Sequence, residues 1–368
     1  MITVLNLHAQ RGSFSLTNIS FEVQRGSIFT IIGPNGCGKT TLLECIAGLQ
    51  KVASGKIIVN GIDVTTLPPE KRRIGYVPAD YALFPNMTVQ RNIWIAFKRS
   101  NGMGLDDLQR IIHLLQIDDL MNRNVESLSS GQKQRTAIAR ALAAKPNVLL
   151  LDEPCSALDP PTKEIFRREF SNMLKEIFHE FNIPVLYTTH DLLEATAIGD
   201  KIAVMNNGRI EQIGSVNEIF ENPSSKFIAE FLGYNVFNGK VVSINVTSIA
   251  VDIGGIILNI KNNGSLPESV KDILVVIKPQ DVALSPMKEF FKPRWKNCQC
   301  NILNGIVKRI YREGSVAKAD IDVGNINLKA EISPDHLEEF NIKPGDIVFV
   351  QIRDSKVKVF PKVGGFKV

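Results

Sequence analysis

Along the first 235 positions, short runs of β-branched and aliphatic residues alternate with stretches of helical period. IFTIIG (28–33), NVLLLDE (147–153), PVLYTTH (184–190) and KIAVMNNGRI (201–210) read as strands, the last with the hairpin signal Asn207-Gly208 inside it. Between them, DDLQRIIHLLQI places Leu108, Ile111, Ile112 and Leu115 at i, i+3, i+4 and i+7, one apolar face of a helix. The alternation predicts an α/β domain with a largely parallel sheet. The stretch from 86 to 145 is mainly helical and predicts a subdomain inserted into it.

Beyond Phe231-Leu232-Gly233 the pattern changes to short strands and glycine turns, and the chain nearly repeats itself. VFNGKVVSI (236–244) matches ILNGIVKRI (302–310), VDIGGIIL (251–258) matches IDVGNINL (321–328), and IKPQDVAL (277–284) matches IRDSKVKV (352–359). Three matches in one order predict two related β modules, 236–285 and 298–368, linked through Ser285 to Lys296. The expected fold class is an α/β domain over 1–235, then an all-β domain over 236–368 made of two small OB-like barrels.

Composition narrows the setting. The 368 residues, 44% hydrophobic and 22% charged, suit two globular domains. A net charge of +5, evenly spread, is too mild for a nucleic-acid partner. Five cysteines (Cys37, Cys45, Cys155, Cys298, Cys300) are an odd number, three of them among candidate nucleotide motifs, which points to a reducing compartment. The start MITVLNLHAQRGSF lacks the segments of a secretion signal, and no apolar run approaches the roughly 20 residues of a membrane span. Contact with a membrane is therefore expected only through a partner.

Three motifs carry chemistry. GPNGCGKTT, Gly33 to Thr41, lies between a strand and a helical pattern. Gly33, Gly36 and Gly38 let the loop curl so that successive N–H groups, from Asn35 and Cys37 through Thr41, meet phosphate oxygens. Lys39 can reach the β- and γ-phosphates, and the Thr40 hydroxyl can ligate Mg²⁺. LLLDEP ends a strand in two carboxylates. Asp152 is placed to hold Mg²⁺; Glu153, expected to face the other way by strand alternation, suits a general base for water. LSSGQKQR precedes a helical run, so Ser129, Ser130, Gly131 and Gln132 sit at a helix N-terminus, a second anion site. One nucleotide meets both sites most economically in a head-to-tail dimer.

With SALD (156–159) and TTHD (188–191) following in order, residues 1–235 resemble the ATPase subunit of ABC transporters. The resemblance implies ATP and Mg²⁺ as ligands and a second copy as partner. It also implies γ-phosphate contacts from Ser129 and Gly131 across the dimer, with Ser130 where a glycine is usual. Asp159 resembles the residue linking the two sites, and His190 the one holding the γ-phosphate and attacking water. Adenine would stack near the N-terminus, on Arg11 or Phe14. The implied setting is the cytoplasmic side of the membrane, against integral-membrane permease subunits and, indirectly, a solute-binding protein.

A nucleotide-binding unit with a β-rich tail resembles importer ATPases. Within these, Asn301, Leu303, Gly305, Gly314-Ser315, Asp322-Val-Gly324 and Lys343-Pro-Gly345-Asp are most similar to the module of molybdate/tungstate transporters. Cys300 stands where that module has an arginine. Cys298 and Cys300, without further Cys or His nearby, are weak metal ligands. Sulfate, iron or sugar import by the same motor remains open. So does a weakly hydrolysing regulatory subunit, because Ala79 stands where the family has a glutamine, while Asp80, Tyr81, Phe84 and Pro85 match. A soluble ABC ATPase of translation or repair is disfavoured by the single phosphate loop and the lack of sustained heptads.

Overall fold

The structure is a computed structural model describing residues 1–100, 102–156, 160–264, 266–267, 269–287, 300–313 and 316–361. The chain divides into two compact units, Met1–Asn222 and Pro223–Val368.

The first unit begins with β1 (Ile2–Arg11) and β2 (Phe14–Val23), then β3 (Ile28–Ile32) and α1 (Lys39–Ala47). β4 (Ser54–Val59), β5 (Ile62–Asp63), α2 (Pro69–Arg72) and β6 (Ile74–Val77) follow. Three helices come next, α3 (Val89–Phe97), α4 (Leu105–Leu114) and α5 (Ser130–Ala143), where the helical stretch is expected. The unit closes with β7 (Val148–Asp152), α6 (Pro160–Phe181), β8 (Val185–Thr189), α7 (Leu192–Ile198), β9 (Lys201–Asn206), β10 (Arg209–Gly214) and α8 (Val216–Glu221).

Two sheets form. One is antiparallel, in order β2-β1-β4-β5; the other runs β10-β9-β3-β8-β7-β6 and is parallel except for β10. Asn207 and Gly208, at φ 42° and 75°, make the β9–β10 turn, the left-handed pair that a two-residue hairpin needs. Every residue of β3, β7 and β8 is buried, which explains why these strands read as unbroken apolar runs. The pleat sends Leu149, Leu151, Val185 and Tyr187 into a core shared with α4 and α5. Val148, Leu150 and Leu186 enter a second core under the antiparallel sheet. Leu108, Ile111, Ile112 and Leu115 all face the first core, as their spacing predicts. Truncating one of these leucines to alanine would cost about 2–5 kcal/mol.

The second unit holds α9 (Lys226–Phe231), β11 (Asn235–Ile244), β12 (Ser248–Asp252), β13 (Ile257–Lys261), β14 (Asp272–Ile277) and β15 (Val282–Pro286). After these come β16 (Cys300–Glu313), β17 (Val316–Val323), β18 (Ile326–Ile332), α10 (Pro334–Phe340), β19 (Ile347–Arg353) and β20 (Lys358–Pro361). Its two five-stranded sheets run β13-β12-β11-β14-β20 and β15-β19-β16-β17-β18. The repeat is thus structural, but its last strand is exchanged: β15 of the first copy completes the second sheet, and β20 of the second completes the first. Ladder bonding crosses the boundary that the repeat suggests between 285 and 298.

Side chains lock the exchange. Asn235 Nδ2 donates to Lys329 O (2.9 Å) while its Oδ1 accepts from Lys329 N (2.7 Å). At the equivalent place, Asn301 Nδ2 donates to Asn259 O (2.8 Å) and its Oδ1 accepts from Asn259 N (2.6 Å). Each copy grips an edge strand of the other. Gly239 and Gly305 are required by close approach: a Cβ would lie 2.8 Å from Val251 and 2.5 Å from Ile321 respectively. Of the tail features singled out above, Lys296 to Gln299 and Gly314-Ser315 lie outside the described residues; Cys300 opens β16.

Candidate functional site

Three adjacent strands, β3, β8 and β7, bring motifs far apart in sequence to one edge of the parallel sheet. The phosphate loop leaves the C-terminal end of β3, His190 follows β8, and Asp152 and Glu153 stand at the end of β7. The C-terminal edge is where open α/β sheets bind ligands, because loops and helix N-termini converge there.

Gly38 is the N-cap of α1, at φ 107°, with no side-chain cap for the helix. A Cβ there would also lie 2.6 Å from the Phe14 ring, so the position needs glycine twice over. The uncapped N–H groups of the first turn are left for a ligand. A cavity of about 210 Å³ opens over them, lined by Arg11, Asn35, Gly36, Lys39, Thr40 and Glu153 among others. Thr40 is exposed, Thr41 nearly buried, and Cys37 is buried beneath the loop; burial pushes its thiol pKa up, which keeps it a packing residue. The donors, the glycine cradle and the free hydroxyl fit a phosphate chain with Mg²⁺.

Lys39 folds back on its own loop. Nζ donates to Gly33 O (3.0 Å) and Pro34 O (3.2 Å) and pairs with Glu153 Oε1 (3.1 Å). Glu153 Oε2 lies 3.0 Å from His190 Nδ1, so one carboxylate bridges lysine and histidine. Strand alternation is not what aims Glu153. The strand stops at Asp152, and Glu153 adopts a left-handed φ of 42°, with its N–H donated to Thr188 O (3.1 Å) and Oγ1 (3.0 Å). A non-glycine residue there stores strain of order 1–3 kcal/mol, which the Thr188 bonds hold in place.

Asp152 is buried, its Oδ1 accepting from Thr188 Oγ1 (2.7 Å) and its Oδ2 from Tyr76 Oη (3.3 Å). Sequence reading missed both hydroxyls. Thr188 had a signal, since it stands in the TTHD motif; Tyr76 had none beyond lying in a strand. Arg140 was also missed. Its guanidinium donates to Tyr81 O (3.0 Å) and Ala82 O (2.7 Å) and lies over the Phe84 ring, tying the loop after Ala79 to α5.

Ser129 caps α5 in a reciprocal box: its Oγ accepts from Gln132 N (3.3 Å) and its N–H donates to Gln132 Oε1 (3.1 Å). Ser129, Gly131 and Gln132 do not line the phosphate-loop cavity of their own chain. Asp159 lies outside the described residues. Arg11 and Phe14 both line the cavity; Arg11 is ion-paired with Glu44, and the Phe14 ring also packs against Gly38.

Comparison with known proteins follows the same division. The ABC transporter family matches residues 16–156, and the TOBE domain matches residues 299–359. A molybdate/tungstate import ATP-binding protein of Pyrococcus abyssi is 38% identical, covering 98% of this chain and 100% of that one. A sulfate/thiosulfate import ATP-binding protein of Bacillus cereus is 33% identical over 97% of each. Among solved structures, a dimeric ATP-binding cassette in a post-hydrolysis state bound to ADP and Pi is 29% identical, with a TM-score of 0.50 over 59% of this chain and 99% of that one.

Proposed function

The chain belongs to the ABC transporter family as an ATP-hydrolysing import subunit, and from that premise we propose that its solute is an oxyanion of the molybdate or tungstate type. The full-length similarity to a molybdate/tungstate import protein, tail included, carries the choice of solute. Sulfate is the rival, supported by a second relative of nearly equal coverage.

The site residues divide the work by geometry. On ATP binding, Lys39 leaves Glu153 and its loop carbonyls for the β- and γ-phosphates, joined by the N–H groups of Asn35 to Thr41. Thr40 and Asp152 would hold Mg²⁺, which neutralises charge developing between those phosphates. Losing Lys39 leaves the Glu153 carboxylate free to accept a proton from the attacking water. His190, 3.0 Å from that carboxylate, orients the water and the γ-phosphate. Ser129, Gly131 and Gln132 complete the site of a second copy, head to tail, with Asp159 between the two; a dimeric cassette among the neighbours supports this arrangement.

No described helix is long and apolar enough to cross a membrane, and the loop from Ala79 to Pro85 carries the exposed Phe84. That loop is where permease subunits would dock, which puts the chain on the cytoplasmic face of the membrane, served indirectly by a solute-binding protein. The test is ATPase activity of the complete transporter in proteoliposomes. Tungstate or molybdate delivered by the binding protein should stimulate turnover. Stimulation by sulfate alone would overturn the molybdate/tungstate assignment, and absence of any solute-stimulated turnover would overturn the motor.

A further inference from the structure

Behind the catalytic edge, four elements share a buried chain of hydrogen bonds that the steps above do not use. Glu194 on α7 is 2% exposed. Its carboxylate accepts from Tyr187 Oη on one oxygen and from Thr189 Oγ1 (2.6 Å) on the other. Thr189 Oγ1 in turn accepts the Asp191 backbone N–H at 3.0 Å. With the Tyr187 proton committed to Glu194, the Cys155 thiol is the donor in its 3.4 Å contact with Tyr187 Oη. Gln134 Nε2, on α5, stands 4.0 Å from Cys155 Sγ.

Burying a carboxylate in an apolar core costs several kcal/mol unless its lone pairs are occupied, and a hydrophobic side chain of similar size would often serve stability better. Capping α7 does not explain it. Asp191 already does that, its Oδ1 accepting from Leu193 N (2.9 Å) and Glu194 N (3.1 Å). What Glu194 fixes is Thr189, and Thr189 with its partner Asp191 brackets His190 on both sides.

We propose that Glu194 is a positioning residue for hydrolysis, holding through Thr189 the turn that aims His190 at Glu153. The proposal rests on the reading of His190 as the group that orients water. A displacement of about 1 Å in such a group lowers turnover by the order of 100-fold. In Glu194→Gln one acceptor oxygen becomes an NH₂ that cannot receive a hydroxyl proton. Thr189→Val keeps the shape and deletes only the hydroxyl.

The experiment measures kcat and KM for ATP in the full chain, with ¹⁵N spectra of the imidazoles, of which the chain has five. Both variants should lose about 10- to 100-fold in kcat with KM changed by less than about twofold, and the His190 signals alone should move. A residue serving only stability would lower the melting temperature and leave kcat and the His190 signals as they are; that result overturns the proposal. If Glu194→Gln does not fold, Thr189→Val carries the same expectation alone. His190→Ala separates the failures. Turnover surviving in it sinks the reading of the site and this proposal together, whereas turnover lost there but normal in both variants sinks the Glu194 assignment only.

Discussion

Replacing Glu153 by glutamine exchanges one oxygen and removes one charge, and the geometry gives it two opposite effects. Lys39 Nζ is 3.1 Å from Glu153 Oε1 and nearly inaccessible to solvent. Two unit charges at that distance attract by about 5 kcal/mol at an effective dielectric of roughly 20, and desolvation offsets most of it. A glutamine oxygen still accepts from the ammonium, so the net difference is that between a charge-assisted and a neutral hydrogen bond, about 1 kcal/mol. Freeing Lys39 for the triphosphate then costs that much less, and ATP binds about fivefold more tightly. Hydrolysis moves the other way. Without a base at 153 the single-turnover rate falls by about 10²–10⁴-fold, and the ATP-bound dimer accumulates. Isothermal titration, rapid-quench hydrolysis and size-exclusion chromatography with ATP measure the three quantities. Hydrolysis within tenfold of the unsubstituted rate would refute the base assignment. Weaker ATP binding would refute the idea that Glu153 restrains Lys39.

Three further outcomes are expected. Ala79→Gln should raise ATPase activity severalfold by restoring the amide that the family has at this position, measured as steady-state turnover; no gain means that the position is unused. Tyr76→Phe and Thr188→Val each remove a hydroxyl from Asp152 and should raise the Mg²⁺ concentration needed for half-maximal tight nucleotide binding, read by nucleotide fluorescence, with ATP affinity in EDTA unchanged. Asn301→Ala removes two bonds to Asn259 and leaves its N–H and C=O unpaired, so chemical denaturation should show the second unit destabilised by about 2–3 kcal/mol. Asn235→Ala should do the same through Lys329, and a difference above about 1 kcal/mol between them would deny that the clamps are equivalent.

The motifs were legible because their physics is local. A glycine loop between strand and helix, or a leucine strand ending in acids, needs few neighbours to be recognised. Their convergence was legible for a second reason: parallel strands buried on both faces announce themselves as apolar runs, and α/β sheets gather ligands at one edge. Glu153 was assigned a role but aimed by the wrong device, since a left-handed residue just past a strand leaves no mark in residue type. Tyr76 and Arg140 went unseen because each acts across the fold, on Asp152 and on the 81–82 carbonyls, from positions that read as ordinary strand and helix surface. The β repeat was legible in its three matched segments. Its exchanged strands were not, because equal copies do not say which sheet each last strand joins.

That exchange has a consequence for how the protein is made. β20 begins at Lys358 and completes a sheet that starts at Asn235, so the tail's first sheet stays incomplete until Lys358–Pro361 has left the ribosome. The first unit has no such debt to the C-terminus and can fold while translation continues. A transcript cut short after Arg353 would deliver an intact ATPase unit beside a half-built tail with an unpaired β14 edge, the kind of exposed ladder that recruits other chains.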